Sequence, residues 1–145
     1  MLASQSPDCG IVGFDLWIEN YAGMENPGEK LVRSELARVG YRGEAVFVAG
    51  DSRETVPRYL AENPGRTFDI ITVDGDHSVE GARADLLNVI PRLNVGGVLV
   101  FDDIVNQDHR ELGPLWDELV GADPQFASYS FSEVGFGVSL AVRKY

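Results

Sequence analysis

The stretch Phe68-Asp-Ile-Ile-Thr-Val-Asp-Gly-Asp-His77 decides the class of fold. It opens as a mostly apolar run, which is typical of a strand buried on both faces of a parallel sheet. An acidic turn follows, and then a pattern typical of an amphipathic helix. A second apolar run, Val98 to Phe101, comes after that helix and also ends in acid, at Asp102 and Asp103. Strand, helix and strand in this order predict a βαβ unit.

Two apolar runs of the same kind come earlier in the chain, at Ile11 to Phe14 and Ala45 to Ala49. Helix start and stop signals separate the runs, and they predict one helix between Pro27 and Gly40 and a second from about Arg53 to Glu62. The clearest helix has Ser78 as its N-cap. After this residue, apolar side chains recur at steps of three and four: Val79, Ala82, Leu86, Val89 and Leu93.

The remainder of the chain completes the predicted architecture. Residues Asn94 to Gly97 predict a turn into the Val98 strand, and a further helix is expected around Pro114 to Val120. The runs Phe126 to Phe131 and Val138 to Val142 predict an antiparallel hairpin. We therefore expect one α/β domain over residues 1–145, with a Rossmann-like, mostly parallel sheet and a C-terminal antiparallel hairpin.

Composition limits the partners and the compartment. The 145 residues are 44% hydrophobic, and 23 acidic against 12 basic side chains give a formal charge of −11. Such a charge would repel nucleic acid, so we expect no nucleic-acid partner. A single cysteine and the lack of a signal peptide or of a run of about 20 apolar residues favour a cytoplasmic protein with no membrane segment. Self-association into a homo-oligomer is left open.

Acidic residues follow every predicted parallel strand. Asp15 follows the first strand, Asp51 and Ser52 the second, Asp74 the third, and Asp102 with Asp103 the fourth. Ligands bind beyond the carboxyl ends of the strands in an open parallel sheet, so each exit is a candidate site. Capping explains Asp51 or Ser52 alone equally well. Asp74 with the Asp102-Asp103 pair is harder to explain by capping, because adjacent strands would gather their charges.

The types of side chain at these exits favour a hard divalent cation. Carboxylate oxygens suit Mg²⁺, whereas one cysteine and two separated histidines are a poor zinc set. His77 follows Asp74 in the same turn and is a candidate general base, although a hydrogen bond within the turn would account for it equally. Asp76 would assist the metal or cap the helix. His109 lies in a polar segment that looks solvated, and we give it no role.

Four stretches, taken in order, resemble the class I S-adenosylmethionine-dependent methyltransferases. They are Gly13-Phe-Asp15, Gly50-Asp51-Ser52, the Phe68 to His77 stretch and Gly96-Gly-Val-Leu-Val-Phe-Asp-Asp103. Within this class the chain is most similar to the metal-dependent O-methyltransferases. The resemblance implies that Asp15 binds the cofactor ribose, and that Asp51 and Ser52 meet the adenine. It also implies that Asp74, Asp102 and Asp103 hold Mg²⁺ and that His77 is the base. The implied acceptor is a small-molecule hydroxyl on a sugar, glycoside or phenol.

The chain departs from the family pattern at its start. The family's first strand and glycine-rich loop should precede the Ile11 strand, and no Gly-x-Gly-x-x-Gly motif occurs in the sequence. We therefore expect an N-terminally truncated form of the fold, whose activity as this chain alone is open.

Two alternative hypotheses about the function remain. The Asp74-Gly-Asp76 motif resembles the Asp-x-Asp pair of haloacid-dehalogenase-like phosphohydrolases, but lysine occurs only at positions 30 and 144, away from the strand exits. The second rival is a non-catalytic remnant or partner subunit of the methyltransferase fold.

Overall fold

The computed structural model describes residues 6–18, 28–133 and 135–145. The chain divides into two compact units, Met1–Thr55 and Val56–Tyr145. The candidate residues Asp15, Asp51 and Ser52 belong to the first unit. The candidates Asp74, His77, Asp102 and Asp103 all belong to the second.

The first unit contains β1 (Ile11–Asp15), α1 (Glu29–Arg38) and β2 (Ala45–Ala49). The two strands pair in parallel, as the sequence predicts, and their register places Ile11 opposite Ala45 and Asp15 opposite Ala49. The predicted start of the first helix at Pro27 lies outside the described residues. Helix α2 (Ser52–Glu62) begins in this unit, directly after β2 and its Gly50-Asp51 exit.

The second unit is built on a four-stranded sheet with the order β3-β4-β6-β5. Strands β3 and β4 are parallel, and the pairs β4–β6 and β5–β6 are antiparallel. The predicted class, a parallel α/β sheet with a C-terminal antiparallel hairpin, is confirmed. The elements of this unit are β3 (Phe68–Val73), α3 (Val79–Val89), β4 (Leu93–Asp102), α4 (Leu112–Trp116), β5 (Phe126–Phe131) and β6 (Val138–Arg143).

Two details of the second unit differ from the sequence predictions. Residues Asn94–Gly97 do not form a separate turn, because they belong to β4. Phe68 lies opposite Leu93 but Ile70 lies opposite Val98, so the extra residues of β4 form an irregularity that Gly96 accommodates with φ +81°. The helix predicted at Pro114 begins two residues earlier, at Leu112, and continues as a wider π-turn over Asp117–Gly121.

A well-packed core holds the second unit together. Its fully buried residues come from α3, β4, α4, the π-turn and β6, and include Leu86, Leu99, Trp116 and Ala141, each at most 1% exposed. The Trp116 ring stacks on Phe101 with 5.7 Å between ring centroids, and its indole N–H donates to Ser128 Oγ at 3.0 Å. The core therefore fixes both ends of the loop between β4 and α4.

The hairpin loop between β5 and β6 also holds that β4–α4 loop. The amide N–H of Val105 donates to the Phe136 carbonyl at 2.8 Å, and the amide of Ile104 donates to the Gly137 carbonyl at 3.3 Å. Gly137 has φ +83°, and a Cβ atom at this position would collide with Ile104 and Val105. The close approach of the two loops therefore requires glycine.

The N-cap of α3 gives a first testable prediction. Ser78 Oγ accepts a hydrogen bond from the amide of Gly81 at 3.1 Å, as expected for the predicted cap. Ser78→Ala should lower the free energy of unfolding by about 1 kcal/mol in urea titration. Ser132→Ala, in the exposed hairpin loop, is the control and should change it by less than about 0.5 kcal/mol. Equal effects of the two substitutions would contradict the capping role.

None of the helices within the described ranges is both long enough and apolar enough to cross a membrane.

Candidate active site

The register of β3 and β4 gathers the acidic residues at one edge of the sheet. Val73 lies opposite Phe101, so Asp74 and Asp102 follow directly from a pair of hydrogen-bonded neighbours. Because both strands run in the same direction, their exits meet at the same edge. The predicted juxtaposition of these two exits is confirmed.

His77 connects the two strand exits. Its Nδ1 lies 3.1 Å from Asp103 Oδ2, and its Nε2 lies 3.4 Å from Asp74 Oδ1. The two carboxylates differ in environment, since the Asp103 side chain is 11% exposed and that of Asp74 is 54% exposed. The imidazole ring therefore contacts one buried and one solvated carboxylate.

Asp103 is held in an uncommon backbone conformation. Its φ is +63°, in the left-handed region, where aspartate is tolerated better than most residues. Its amide N–H donates to Asp102 Oδ1 at 2.9 Å, and its Oδ2 accepts a hydrogen bond from Asn106 Nδ2 at 3.1 Å. Asn106 is itself buried, at 9% exposed. Asn106 thus orients the carboxylate that contacts His77, a role that its polar sequence neighbours gave no reason to predict.

The Asn106–Asp103 hydrogen bond gives a second prediction. Asn106→Asp keeps the shape and the acceptor atom that Asn106 presents to the Asp108 amide, but it replaces a buried donor with a second carboxylate. The variant should lose roughly 1–3 kcal/mol of unfolding free energy at neutral pH.

A matched control exists in the same unit. Asn94 Nδ2 donates to Asp69 Oδ1 at 2.9 Å in an exposed position. Asn94→Asp makes the same chemical change where solvent screens it, and should cost less than about 0.5 kcal/mol. Urea titration of both variants makes the comparison, and equal losses would refute the positioning role of Asn106.

Asp76 belongs to the start of α3. Its Oδ1 accepts a hydrogen bond from the amide of Ser78 at 2.9 Å, and a Cβ atom at Gly81 would collide with its side chain. Ser78 is the residue that caps α3, so Asp76 stabilises the turn that leads into the helix, and its assistance to a metal stays a prediction.

The predicted cofactor residues lie at the exits of β1 and β2 in the first unit. Asp15 Oδ1 accepts a hydrogen bond from the Trp17 amide at 2.6 Å, and Trp17 has φ +52°. The Trp17 ring packs edge-on against the Phe47 ring, with 5.7 Å between ring centroids. Asp51 forms a hydrogen-bonded ion pair with Arg53, with 2.6 Å between Asp51 Oδ2 and Arg53 Nη2, and these hydrogen bonds lower the pKa of Asp51. Ser52 is the first residue of α2.

The three carboxylates predicted as metal ligands meet the chemical requirement for Mg²⁺ but are not grouped around one point. They supply only oxygen, the ligand that Mg²⁺ prefers. Within the ranges that the structure describes, however, no three His, Cys, Asp or Glu side chains lie close enough together to hold an ion. Asp74 and Asp103 instead contact His77, and the Asp102 carboxylate accepts a hydrogen bond from the amide of Asp103.

His109 also lies at this site, where the sequence predicted only a solvated segment. Its ring meets the ring of His77 edge-on, with 5.1 Å between centroids and 69° between planes. His109 is half-buried, whereas Gln107, Asp108 and Arg110 are exposed. No periodicity or motif marks His109 in the sequence, so its position becomes evident only in the fold.

The chain is similar to known methyltransferases. A family model described as a methyltransferase domain matches residues 1–104. The chain belongs to the methyltransferase domain family. The resemblance noted from the sequence is thereby confirmed. No curated protein matches this methyltransferase domain in sequence.

Solved structures of O-methyltransferases share the fold. CalS11, a TDP-rhamnose 3′-O-methyltransferase of calicheamicin biosynthesis, matches at 26% identity and TM-score 0.67, over 97% of this methyltransferase domain and 61% of its own chain. An O-methyltransferase from Bacillus cereus, in complex with SAH, matches at 20% identity and TM-score 0.63, over 99% and 77%. MycE, solved with Mg and SAH, matches at 14% identity and TM-score 0.63, over 98% and 47%. The domain thus spans less than two thirds of the CalS11 chain.

Proposed function

We propose that this chain catalyses S-adenosylmethionine-dependent O-methylation of a small-molecule hydroxyl group. The observation that carries the proposal is the contact of His77 with the buried carboxylate of Asp103 at the joint exit of β3 and β4. Membership of the methyltransferase domain family supports the reaction class. The similarity to CalS11, which acts on a TDP-rhamnose hydroxyl, supports a sugar or glycoside acceptor, with a phenol as the alternative.

The arrangement of His77 suits a general base. A buried carboxylate beside Nδ1 favours the tautomer with its hydrogen on Nδ1, which leaves the lone pair of Nε2 to take up a proton. Nε2 faces the solvated side of the site, and its 3.4 Å contact with Asp74 is long enough for an acceptor hydroxyl to replace it. The proton of that hydroxyl passes to Nε2, and the acceptor oxygen becomes able to receive a methyl group.

When bound, S-adenosylmethionine would supply the methyl group from its sulfonium centre, and S-adenosylhomocysteine would be released as the ether forms. We assign its ribose to Asp15 and its adenine to Asp51 and Ser52. The position of these residues at the exits of two paired parallel strands supports the assignment. Arg53 already engages the Asp51 carboxylate, so a contact of Asp51 with adenine would come from its remaining acceptor capacity or its backbone.

We also assign Mg²⁺ to Asp74, Asp102 and Asp103. The oxygen-only donor set supports this assignment, whereas the present grouping of the side chains does not. Magnesium, when bound, would lower the pKa of an acceptor hydroxyl. Binding of Mn²⁺, followed by its electron paramagnetic resonance signal, tests the assignment without any turnover. Loss of binding in Asp74→Ala and Asp103→Ala, but not in Asp69→Ala, is expected. Wild-type protein that binds no Mn²⁺ would overturn the metal assignment alone.

Calorimetric titration with S-adenosylmethionine tests the main proposal, together with methyl transfer to TDP-sugars and catechols. We expect saturable binding that Asp15→Ala weakens. The measurement should use this chain and any longer gene product that contains it. If neither binds S-adenosylmethionine, the methyltransferase proposal fails and the non-catalytic reading takes its place. Hydrolysis of p-nitrophenyl phosphate in the same samples would instead favour the phosphohydrolase.

We place the protein in the cytoplasm, which a single cysteine supports. Fractionation of cells that express the protein tests this placement.

A further inference from the structure

The only two histidines in the sequence meet at one site. His77 lies in the turn before α3 and His109 in the loop after β4, yet their ring centroids are 5.1 Å apart. His109 is half-buried in a stretch whose neighbouring side chains, Gln107, Asp108 and Arg110, are all exposed. The fold therefore turns this one side chain of the segment toward His77.

The backbone around His109 is anchored on both sides. Its amide N–H donates to the Asn106 carbonyl at 3.1 Å, and its own carbonyl accepts from the Leu112 amide at 3.1 Å. Asn106 is bonded to Asp103, and Leu112 is buried in the core at 1% exposed. These contacts fix the backbone of His109, and therefore the position from which its ring contacts the ring of His77.

His77 needs such a neighbour. Its two carboxylate contacts both involve the nitrogen-bearing edge of the ring, and one of the two carboxylates is solvated. Rotation about the Cβ–Cγ bond would break both contacts together. An edge-on aromatic contact opposes this rotation, because the two rings are attracted in that geometry and exclude each other from other geometries.

We propose that His109 is a positioning residue, whose ring holds the His77 imidazole in orientation between Asp74 and Asp103. The catalytic consequence rests on the proposed function: a base held in place transfers a proton faster than one that rotates. This positioning role requires only the aromatic ring of His109, and neither a proton nor a hydrogen bond of His109 is needed.

Three substitutions of His109 separate ring packing from hydrogen bonding. His109→Phe keeps an aromatic ring and removes both nitrogens, His109→Gln keeps hydrogen-bonding atoms and removes the ring, and His109→Ala removes both. We expect His109→Ala and His109→Gln to lower kcat about three- to tenfold with KM changed less than about twofold. His109→Phe should stay within about twofold of wild type. Arg110→Ala, in the same loop, is the control and should leave both constants unchanged.

A measurement on the His77 ring itself makes the test independent of activity. In every His109 variant of the untagged chain, His77 is the one histidine left, so ¹³C-labelled histidine gives a single ring signal. Carbon relaxation of that signal should show a rigid ring in His109→Phe and a mobile ring in His109→Ala and His109→Gln. A ring equally rigid in all three variants, or rescue by Gln in place of Phe, would overturn the proposal. A protein that transfers no methyl group but shows the expected relaxation would refute the proposed function alone.

Discussion

His77→Gln should lower kcat for methyl transfer by about 10²- to 10⁴-fold, the usual contribution of a general base. Glutamine retains polar atoms close to the position of the imidazole but cannot accept the proton of the acceptor hydroxyl. The dissociation constant for S-adenosylmethionine should stay within about twofold of wild type, because the cofactor residues proposed here are Asp15, Asp51 and Ser52. The unfolding free energy should change by less than about 1 kcal/mol, since the His77 side chain is 32% exposed.

Single-turnover kinetics, calorimetric cofactor binding and urea titration of the same preparation check this expectation. Glu80→Gln provides the matched control, because it also exchanges an ionisable side chain for an amide, three residues away on an exposed position of α3. The control should retain full activity. If His77→Gln keeps more than about a tenth of the wild-type kcat, then His77 is not the base and its contacts serve only the structure of the turn.

Trp116→Ala should lower the free energy of unfolding by about 3–5 kcal/mol. Trp116 is 1% exposed, stacks on Phe101, and donates its indole hydrogen to Ser128. Alanine would leave a cavity beside β4 and remove the donor to a half-buried hydroxyl. Because domains of this size are stable by only about 5–15 kcal/mol, the loss would be a large part of the total.

The control for this substitution is Phe136→Ala, which removes an aromatic ring that is 62% exposed. It should cost less than about 1 kcal/mol. Trp116→Phe keeps an aromatic ring beside Phe101 but loses the hydrogen bond and part of the ring volume, so it should cost about 1–3 kcal/mol. It also provides a folded sample if Trp116→Ala does not fold. Urea titration measures all three variants. A loss below about 1.5 kcal/mol for Trp116→Ala would show that the core relaxes into the space.

Much of the fold could be predicted from local patterns. Strands β2 and β3 have the bounds that their apolar runs indicate, and Ser78 caps α3 as predicted. The pairing of β3 with β4 follows from the βαβ rule, and this pairing brings the exits at Asp74 and Asp102 to one edge. These features depend on residues close in sequence or on a single connection, so a pattern of residue types is sufficient.

The rest depended on register and on contacts distant in sequence. The irregular start of β4 arises from its pairing with β3, which the turn-like composition of Asn94–Gly97 does not reveal. The loop that carries Asn106 and His109 is held by backbone hydrogen bonds from Ile104 and Val105 to Gly137 and Phe136. These partners, and the contact of His109 with His77, are distant in sequence, and nothing in the loop itself indicates them. The roles of Asp15, Asp51 and Ser52 toward a cofactor, and of Asp74, Asp102 and Asp103 toward a metal, stay predictions, because they concern ligands as well as the chain.

The order of the sheet has a consequence for how this chain is made. Strand β6 lies between β4 and β5, and the loop that positions Asp103 is hydrogen-bonded to residues 136 and 137. During synthesis, β3, α3 and β4 are translated before β6 and before residues 136 and 137. One edge of β4 therefore stays unpaired until β6 has been made. The cluster of Asp74, His77 and Asp103 is thus completed late in synthesis, and a nascent chain stalled before residue 136 would expose that edge to proteases and chaperones.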